Sequence, residues 1–173
     1  SDAKKKRYHF SNELYFFVMK GKPCIMGKRN DFMLFPGGKK KALTFSYDDG
    51  VVQDRRLVQL FNDYGVKGTF NLNAGVLGDK GFSEIYGKRT DISKIPKEEV
   101  HELYKGHEIA AHGLYHSFLQ NIGTASAMYE LIEDRRILET LSGKMVRFFA
   151  YPFGTYNENV KTLLKLAGFV GAR

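Results

Sequence analysis

Two adjacent carboxylates follow an apolar stretch of the sequence. Residues 42–50 read ALTFSYDDG, so Asp48 and Asp49 come at the end of what the composition predicts to be a buried parallel strand. Two neighbouring carboxylates at a buried strand end repel each other unless a cation or a hydrogen bond separates their roles. The pattern therefore favours a metal ion on one of them.

A β-turn with Asp-Gly at its tip is the alternative interpretation of the same residues. A hairpin turn predicts a second strand directly after it. The sequence that follows is VVQDRRLVQLF, which has the spacing of a helix. The carboxylates are therefore expected at a strand-to-helix junction.

Two histidines add further metal-binding chemistry. His112 and His116 lie four residues apart in AHGLYH. On a helical backbone this spacing places both imidazoles on one face, where they can converge on one ion. With one aspartate they would make three ligands that leave positions open for water and substrate, as in catalytic zinc sites. Taken alone, the histidine pair is more often two surface or capping residues.

The segments around these residues alternate between strand and helix patterns. Strands are predicted at 42–47, 68–73, 108–112 and 145–151, and FVGAR ends the sequence. Helices are predicted after the first strand with Gly65 as the C-terminal cap, from 96 to 106, over 126–141 and from Asn157 as the N-cap. The inward positions of the first and third helices are predicted to be Leu57, Leu60, Phe61 and Tyr64, and Met128, Leu131, Leu138 and Leu141. Residues 74–95 are predicted to form a long loop.

This alternation predicts a parallel sheet with right-handed crossovers, and hence an α/β open sheet or a (β/α) barrel. Ligand sites in such folds lie at the carboxyl ends of the strands. Candidate groups follow the first, third and fourth predicted strands, namely Asp48 and Asp49, His112 and His116, and YPFG at 151–154. The chain of 173 residues is long enough for one ordinary domain.

The composition limits the other classes of function. The 27 lysines and arginines exceed the 19 acidic residues, but no nucleic-acid-binding motif accompanies them, so a solvated basic face is favoured and no nucleic-acid partner is expected. The single cysteine, Cys24, excludes an intrachain disulfide. The apolar run at 14–19 is too short for a membrane span or a signal peptide, so we expect neither there. Residues 1–40 are predicted to be an N-terminal extension with one or two peripheral strands, before a body at 41–173.

Three segments together resemble motifs of the polysaccharide deacetylase family, also called carbohydrate esterase family 4 or the NodB homology domain. TFSYDDG is similar to the family's TFDDG motif, HGLYH to H-(S/T)-x-x-H, and RFFAYPFG to R-x-F-R-x-P-Y. They occur in the family's order, and the resemblance covers residue 41 to the end. It implies the distorted (β/α) barrel of that family.

The resemblance also implies roles for individual residues. Asp49, His112 and His116 would hold a divalent metal, usually zinc (Zn2+) in the family, and Asp48 would be the general base. The backbone N–H of Phe153 would contact the oxyanion. The implied function is a metal-dependent hydrolase that removes acetyl groups from polysaccharide containing N-acetylglucosamine, with an acetylated glycan as its partner.

The sequence departs from the family pattern at particular positions. Ala150 stands where the family has an arginine that pairs with the base aspartate, and Gly113 replaces a serine or threonine. The family's fourth and fifth motifs, which include its general-acid histidine, are expected after Arg173. We therefore expect a barrel lacking its C-terminal strands, in a chain that binds metal but turns over poorly. The alternative is a non-catalytic, carbohydrate- or metal-binding deacetylase-like domain.

Overall fold

The computed structural model describes residues 42–173, in which five parallel strands form one sheet with helices packed against it. The elements in chain order are β1 (Ser46–Asp48), α1 (Asp54–Asp63), β2 (Thr69–Leu72), β3 (Phe82–Ile85), β4 (Lys88–Asp91), α2 (Val100–Leu103), β5 (Glu108–Ala111), α3 (Thr124–Ser142), β6 (Phe148–Phe149), α4 (Glu158–Leu166) and β7 (Gly171–Ala172). Short 3-10 turns cover Ala74–Val76, Lys97–Glu99, Leu119–Asn121 and Pro152–Gly154.

The large sheet has the strand order β1-β2-β5-β6-β7, and every neighbouring pair is parallel. Parallel neighbours need crossover connections, and one of the four helices lies in each of them. The side chain of Arg173, directly after β7, hydrogen-bonds Ser46 in β1 at the opposite edge. The two outer strands therefore approach each other, and the sheet is curled. The predicted α/β fold of the (β/α)-barrel type is confirmed.

The core lies between the sheet and the helices that cross over it. Phe70 and Leu72 in β2 are fully buried, as is Ala111 in β5. The helices add Val58 and Phe61, Leu131 and Leu138, and Val160, Leu163 and Leu164. Burial of these side chains removes apolar surface from water, which is the main favourable contribution to folding of such a sheet.

The helix predictions are most accurate where a capping residue or a long stretch of periodic apolar residues defines the helix. Asn157 caps α4, and its side-chain oxygen accepts a hydrogen bond from the Val160 N–H at 2.9 Å. In α3 the predicted inward residues Leu131 and Leu138 are buried. The predicted helix from 96 to 106 is instead a 3-10 turn followed by the short α2.

Tyr64 does not face the core, although the spacing in α1 predicts that it does. Its side chain is 80% exposed. The helix ends at Asp63, and Tyr64 has left the helical conformation (φ −98°, ψ 5°), so the i+7 position no longer lies on the inward face. Val58, which the predicted spacing did not include, is instead one of the buried residues of α1.

The predicted loop at 74–95 contains an antiparallel hairpin. In it β3 pairs with β4 through Ile85 opposite Lys88, so Tyr86 and Gly87 form a two-residue turn. Both turn residues have positive φ (52° and 70°), as a type I′ hairpin turn requires. The turn was missed because tyrosine is an unusual residue at the first of these positions.

The first strand is also shifted relative to its prediction. β1 begins at Ser46, four residues later than predicted, and it includes Asp48. The pairing with β2 extends from Ser46, opposite Thr69, to Asp48, opposite Asn71. The predicted N-terminal extension lies outside the described residues. Within residues 42–173, no helix combines the length and the apolar character that crossing a membrane would require.

A buried carboxyl group in the first turn of α1 predicts a pH-dependent stability. Asp54 is 3% exposed and accepts a hydrogen bond from the Tyr104 hydroxyl at 2.7 Å, and burial raises its pKa from 3.8 to about 7. The folded state binds the proton more tightly than the unfolded state, so this contribution to stability is present below 3.8 and is lost as the pH rises through about 7. We expect Asp54→Asn, which cannot ionise, to flatten this part of the dependence. The effect is measured by the unfolding midpoints of the wild type and of Asp54→Asn across that pH range. If the midpoints of both proteins depended on pH in the same way, the prediction would be contradicted.

Candidate metal centre

The three predicted metal ligands lie together at the carboxyl ends of β1 and β5. Asp49 directly follows β1, His112 directly follows β5, and His116 lies in the loop beyond it. One ligand atom from each side chain lies within 4.8 Å of the other two. Two imidazole nitrogens and a carboxylate oxygen are the donor set of catalytic zinc sites. These residues can therefore fit a divalent cation, and their assignment as its ligands stays a prediction.

A tight turn, and not a helix, brings the two histidines together. Residues 112–116 have no helical assignment, so the interpretation of a shared helical face is wrong. Gly113 has φ +77° and His116 φ +58°, which reverse the chain within this segment. A side chain at Gly113 would be strained by that φ, and its Cβ would lie 3.3 Å from Pro152 Cγ. The glycine in place of a serine or threonine thus suits this turn.

A buried carboxylate on α3 holds the start of this turn. Asp134 is fully buried, and its two oxygens accept hydrogen bonds from the backbone N–H of Ala74 at 2.7 Å and of His112 at 2.9 Å. Burial raises the pKa of Asp134 to about 7, whereas the backbone donors favour its ionised form. Because one side chain bonds both segments, the position of His112 is linked to the end of β2.

Two further side chains complete the support of the turn. Glu130, one helical turn before Asp134, accepts hydrogen bonds from the Tyr115 N–H at 2.9 Å and the Ser117 hydroxyl at 2.7 Å. Asn73 donates from Nδ2 to the carbonyl oxygens of His112 at 2.6 Å and Gly113 at 2.7 Å. The turn that carries both histidines is thereby tied to α3 and to the residue after β2.

The backbone also orients the imidazole of His112. Its Nδ1 lies 2.9 Å from the carbonyl oxygen of Ala150. A carbonyl only accepts, so Nδ1 carries the hydrogen and Nε2 keeps the lone pair with which a histidine binds a metal. The Nε2 of His116 lies 3.7 Å from Asp49 Oδ1, and burial lowers the pKa of His116, which favours the neutral, ligating form.

Asp48, the predicted general base, is held by two donors. Its Oδ1 accepts hydrogen bonds from Asn71 Nδ2 at 2.6 Å and from a guanidinium nitrogen of Arg173. The carboxylate is 16% exposed, so these donors offset part of the cost of burying its charge. Asp48 and Asp49 consequently have different surroundings although they are adjacent.

Lys94 lies beside Asp49, the predicted carboxylate ligand. Its Nζ is 3.3 Å from Asp49 Oδ1, and its segment is held next to the residues that follow β1 by the bridge between Val51 and Lys94. The ammonium group therefore offsets negative charge at this strand end. Lys94 was not singled out from the sequence, because it falls in the segment predicted to be a loop.

Phe153, the predicted oxyanion contact, lies against the histidine turn. Its ring centroid is 4.4 Å from that of His116, and it stacks on Phe118 at 3.7 Å with an interplanar angle of 5°. Both phenylalanine rings are about half exposed (49% and 41%). The two rings form an apolar surface beside the cluster, and the role of the Phe153 N–H stays a prediction.

Comparison with known proteins identifies related sequences and folds. Residues 36–172 match the family model described as polysaccharide deacetylase. The solved structure of Streptococcus pyogenes deacetylase PplD in complex with acetate is 17% identical with a TM-score of 0.63, and the match covers 75% of this chain and 54% of that one. IcaB from Ammonifex degensii is 20% identical with a TM-score of 0.61, covering 72% and 55%.

A third similar structure is a CE4 family pseudoenzyme from Bacillus anthracis, 16% identical with a TM-score of 0.53, covering 75% of this chain and 52% of that one. At these identities the likeness shows the fold. No curated protein matches this chain. The chain spans about half the length of the solved structures described above.

Removal of one predicted ligand should abolish metal binding. We expect the purified protein, supplied with zinc and dialysed, to retain about one ion per chain, and Asp49→Ala and His116→Ala to retain none, because each removes one of three donors. Elemental analysis of the dialysed proteins measures this. His101→Ala removes an exposed histidine outside the cluster and serves as the control. Equal zinc content in all four proteins would contradict the site.

The support from α3 predicts a second effect on metal affinity. In Asp134→Asn, an amide presents only one accepting atom, so either the Ala74 N–H or the His112 N–H loses its hydrogen bond to residue 134. His112 keeps its bond to the Leu72 carbonyl but is no longer linked to the end of β2 through α3, so it is less well placed. We expect the affinity for zinc to fall about 10–100-fold, as for other groups that orient metal ligands. Competition with a chelator measures it, with Glu133→Gln on the same helix as the control. An unchanged affinity would show that Asp134 does not position the ligand.

Proposed function

Because this chain belongs to the polysaccharide deacetylase family, we propose that it removes acetyl groups from polysaccharide containing N-acetylglucosamine. The observation that carries this proposal is the cluster of Asp49, His112 and His116 next to a carboxylate, Asp48, that is held separately. Hydrolysis of an acetamide needs an activated water, a polarised carbonyl and a base, and this arrangement offers groups for each.

Asp49, His112 and His116 would hold the divalent ion, for which we propose zinc. The fit is supported by their donor types and by the hydrogen bond that leaves Nε2 of His112 free to ligate. When bound, such an ion supplies Lewis-acid polarisation of an acyl oxygen and lowers the pKa of water.

Asp48 takes the proton from the water that attacks the acetyl carbon, and returns it to the sugar nitrogen as the C–N bond breaks, so that acetate and the free amine are released. A general base must lie within hydrogen-bond reach of the proton that it abstracts. Asp48 directly precedes Asp49, and both described donors to it end on Oδ1, so Asn71 and Arg173 leave Oδ2 to other partners. The proposed roles, Asp48 as the base and Asp49 as a ligand, rest on the two donors that hold Asp48.

Phe153 supplies a backbone N–H for the oxyanion that develops on the acetyl group. Phe153 has φ 59°, outside the helical region, within the turn Pro152–Gly154 that follows Tyr151. A donor aimed at a developing oxyanion is typically worth about 3 kcal/mol of transition-state stabilisation. The ring of the same residue packs on Phe118 and His116, which holds this part of the backbone beside the cluster.

The sugar substrate is supported by the apolar surface of Phe118 and Phe153. Half-exposed, stacked aromatic rings next to a reactive site can pack against the apolar face of a sugar ring or an acetyl methyl group. The formal charge of +8 favours encounter with an anionic polymer. Both features support an acetylated glycan as the partner.

A non-catalytic domain is the second candidate. One solved structure with this fold is a pseudoenzyme, so the fold by itself does not decide between activity and its absence. The presence of Asp48 with its two donors favours a catalytic role in this chain.

Acetate release separates the two candidates. We expect the zinc-loaded protein to release acetate from an N-acetylglucosamine oligomer, and Asp48→Asn to lower kcat about 10²–10⁴-fold because it removes the general base. The variant should keep its zinc, since Asp48 is not among the three ligands. Asp63→Asn, an exposed carboxylate at the end of α1, is the control. Zinc binding without acetate release by the wild type would favour the non-catalytic domain.

A further inference from the structure

Arg173 lies beside Ala150, the position at which the resemblance implies an arginine. In the register of β6 and β7, Phe148 is opposite Gly171 and Phe149 opposite Ala172. The pairing continues beyond the strands, because the Arg173 N–H donates to the Phe149 carbonyl at 3.1 Å and the Tyr151 N–H donates to the Arg173 carbonyl at 2.8 Å. These two hydrogen bonds flank Ala150, so Arg173 is its direct neighbour.

Side chains of directly paired residues on neighbouring parallel strands point to the same face of the sheet. Ala150 is 1% exposed and places only a methyl group on its face. The side chain of Arg173, on the neighbouring strand, starts level with Ala150 and on the same face of the sheet. A guanidinium group can thus be supplied to the same region from β7 as from the position of Ala150.

The guanidinium of Arg173 is held at two points. Its Nε donates to the Ser46 hydroxyl at 2.9 Å, and a terminal nitrogen donates to Asp48 Oδ1. Ser46 and Asp48 lie two residues apart on β1, on the same face of that strand. A planar fork with separated donors can reach both, whereas the single ammonium of a lysine cannot span them in the same way.

We propose that Arg173 is the positioning residue for Asp48. With Asn71, which donates to the same oxygen, it sets the orientation of the carboxylate so that the remaining oxygen faces the attacking water. Arg173 thereby does from β7 what the arginine at the position of Ala150 does in the family motif. The catalytic consequence of this inference rests on the proposed function, whereas the pairing of Arg173 with Asp48 rests on the geometry alone.

The pairing is tested without any activity measurement. Unfolding midpoints are determined for Arg173→Ala, Asp48→Asn and the double variant. In a control cycle, Arg173→Ala is replaced by Arg147→Ala, which removes an exposed arginine directly before β6. Contacting groups give non-additive effects. We expect the double variant to shift the midpoint by less than the sum of the single shifts, and the Arg147 cycle to be additive. Additivity in both cycles would overturn the proposal.

The positioning role is tested by chemical rescue of zinc-loaded protein. We expect Arg173→Ala to lower kcat about 100-fold with a nearly unchanged KM and full zinc content, because a displaced base no longer lies in line with the water. Millimolar guanidinium should restore part of kcat, and the same concentration of an ammonium salt should not. Arg173→Lys, which keeps the charge, is the second variant and should also lose kcat. Unchanged kcat in either variant would overturn the role.

The two experiments keep failure of this inference apart from failure of the proposed function. If the wild type releases no acetate, the proposed function fails, and the stability cycle alone decides whether Arg173 holds Asp48. If the wild type is active and guanidinium has no effect on Arg173→Ala, the proposed function stands and the positioning role of Arg173 is wrong.

Discussion

Negative charge at the end of β1 is the constraint on which the site depends. Asp48 and Asp49 are adjacent, and both raise the pKa of the buried Asp54. Such carboxylates are destabilising in a partly buried place unless each has a partner. The described partners are Asn71 and Arg173 for Asp48, Lys94 for Asp49 and the Tyr104 hydroxyl for Asp54. These partners come from β2, from the residue after β7, from the segment before α2 and from the C-terminal end of α2, so charge compensation draws on segments that are distant in sequence.

The same need for a partner explains how α3, which packs against the sheet, can carry buried carboxylates. Asp134 and Glu130 lie one turn apart on the inward side of α3, among leucines, and they accept hydrogen bonds from the backbone N–H groups of His112 and Tyr115 in the turn at 112–116. The His112 N–H is shared with the Leu72 carbonyl at 3.0 Å. A buried carboxylate without such donors would be costly. The hydrophobic packing of α3 and the placement of the two histidines are therefore parts of one interaction.

Curling of the sheet joins its two outer strands. β1 and β7 are the edges of the described sheet, yet Arg173 reaches Ser46 and Asp48 across it. This contact lets a residue that is distant in sequence act on the carboxylate that follows the first strand. It also explains how Ala150 can stand where the family motif has arginine, since a neighbouring strand supplies the guanidinium at the same height.

The sequence by itself determined the alternating strands and helices and the parallel sheet, because hydrophobic periodicity and caps such as Asn157 are local signals. It also indicated the cluster of Asp49, His112 and His116, since short motifs carry these residues. Only the tertiary structure decided the turn that joins the histidines, the hairpin at 82–91, and the partners Asn71, Lys94, Asp134 and Arg173. Those partners come from segments that are distant in sequence and meet only in the folded chain, and Arg173 reaches β1 only because the sheet curls. No local pattern in a sequence encodes such a contact.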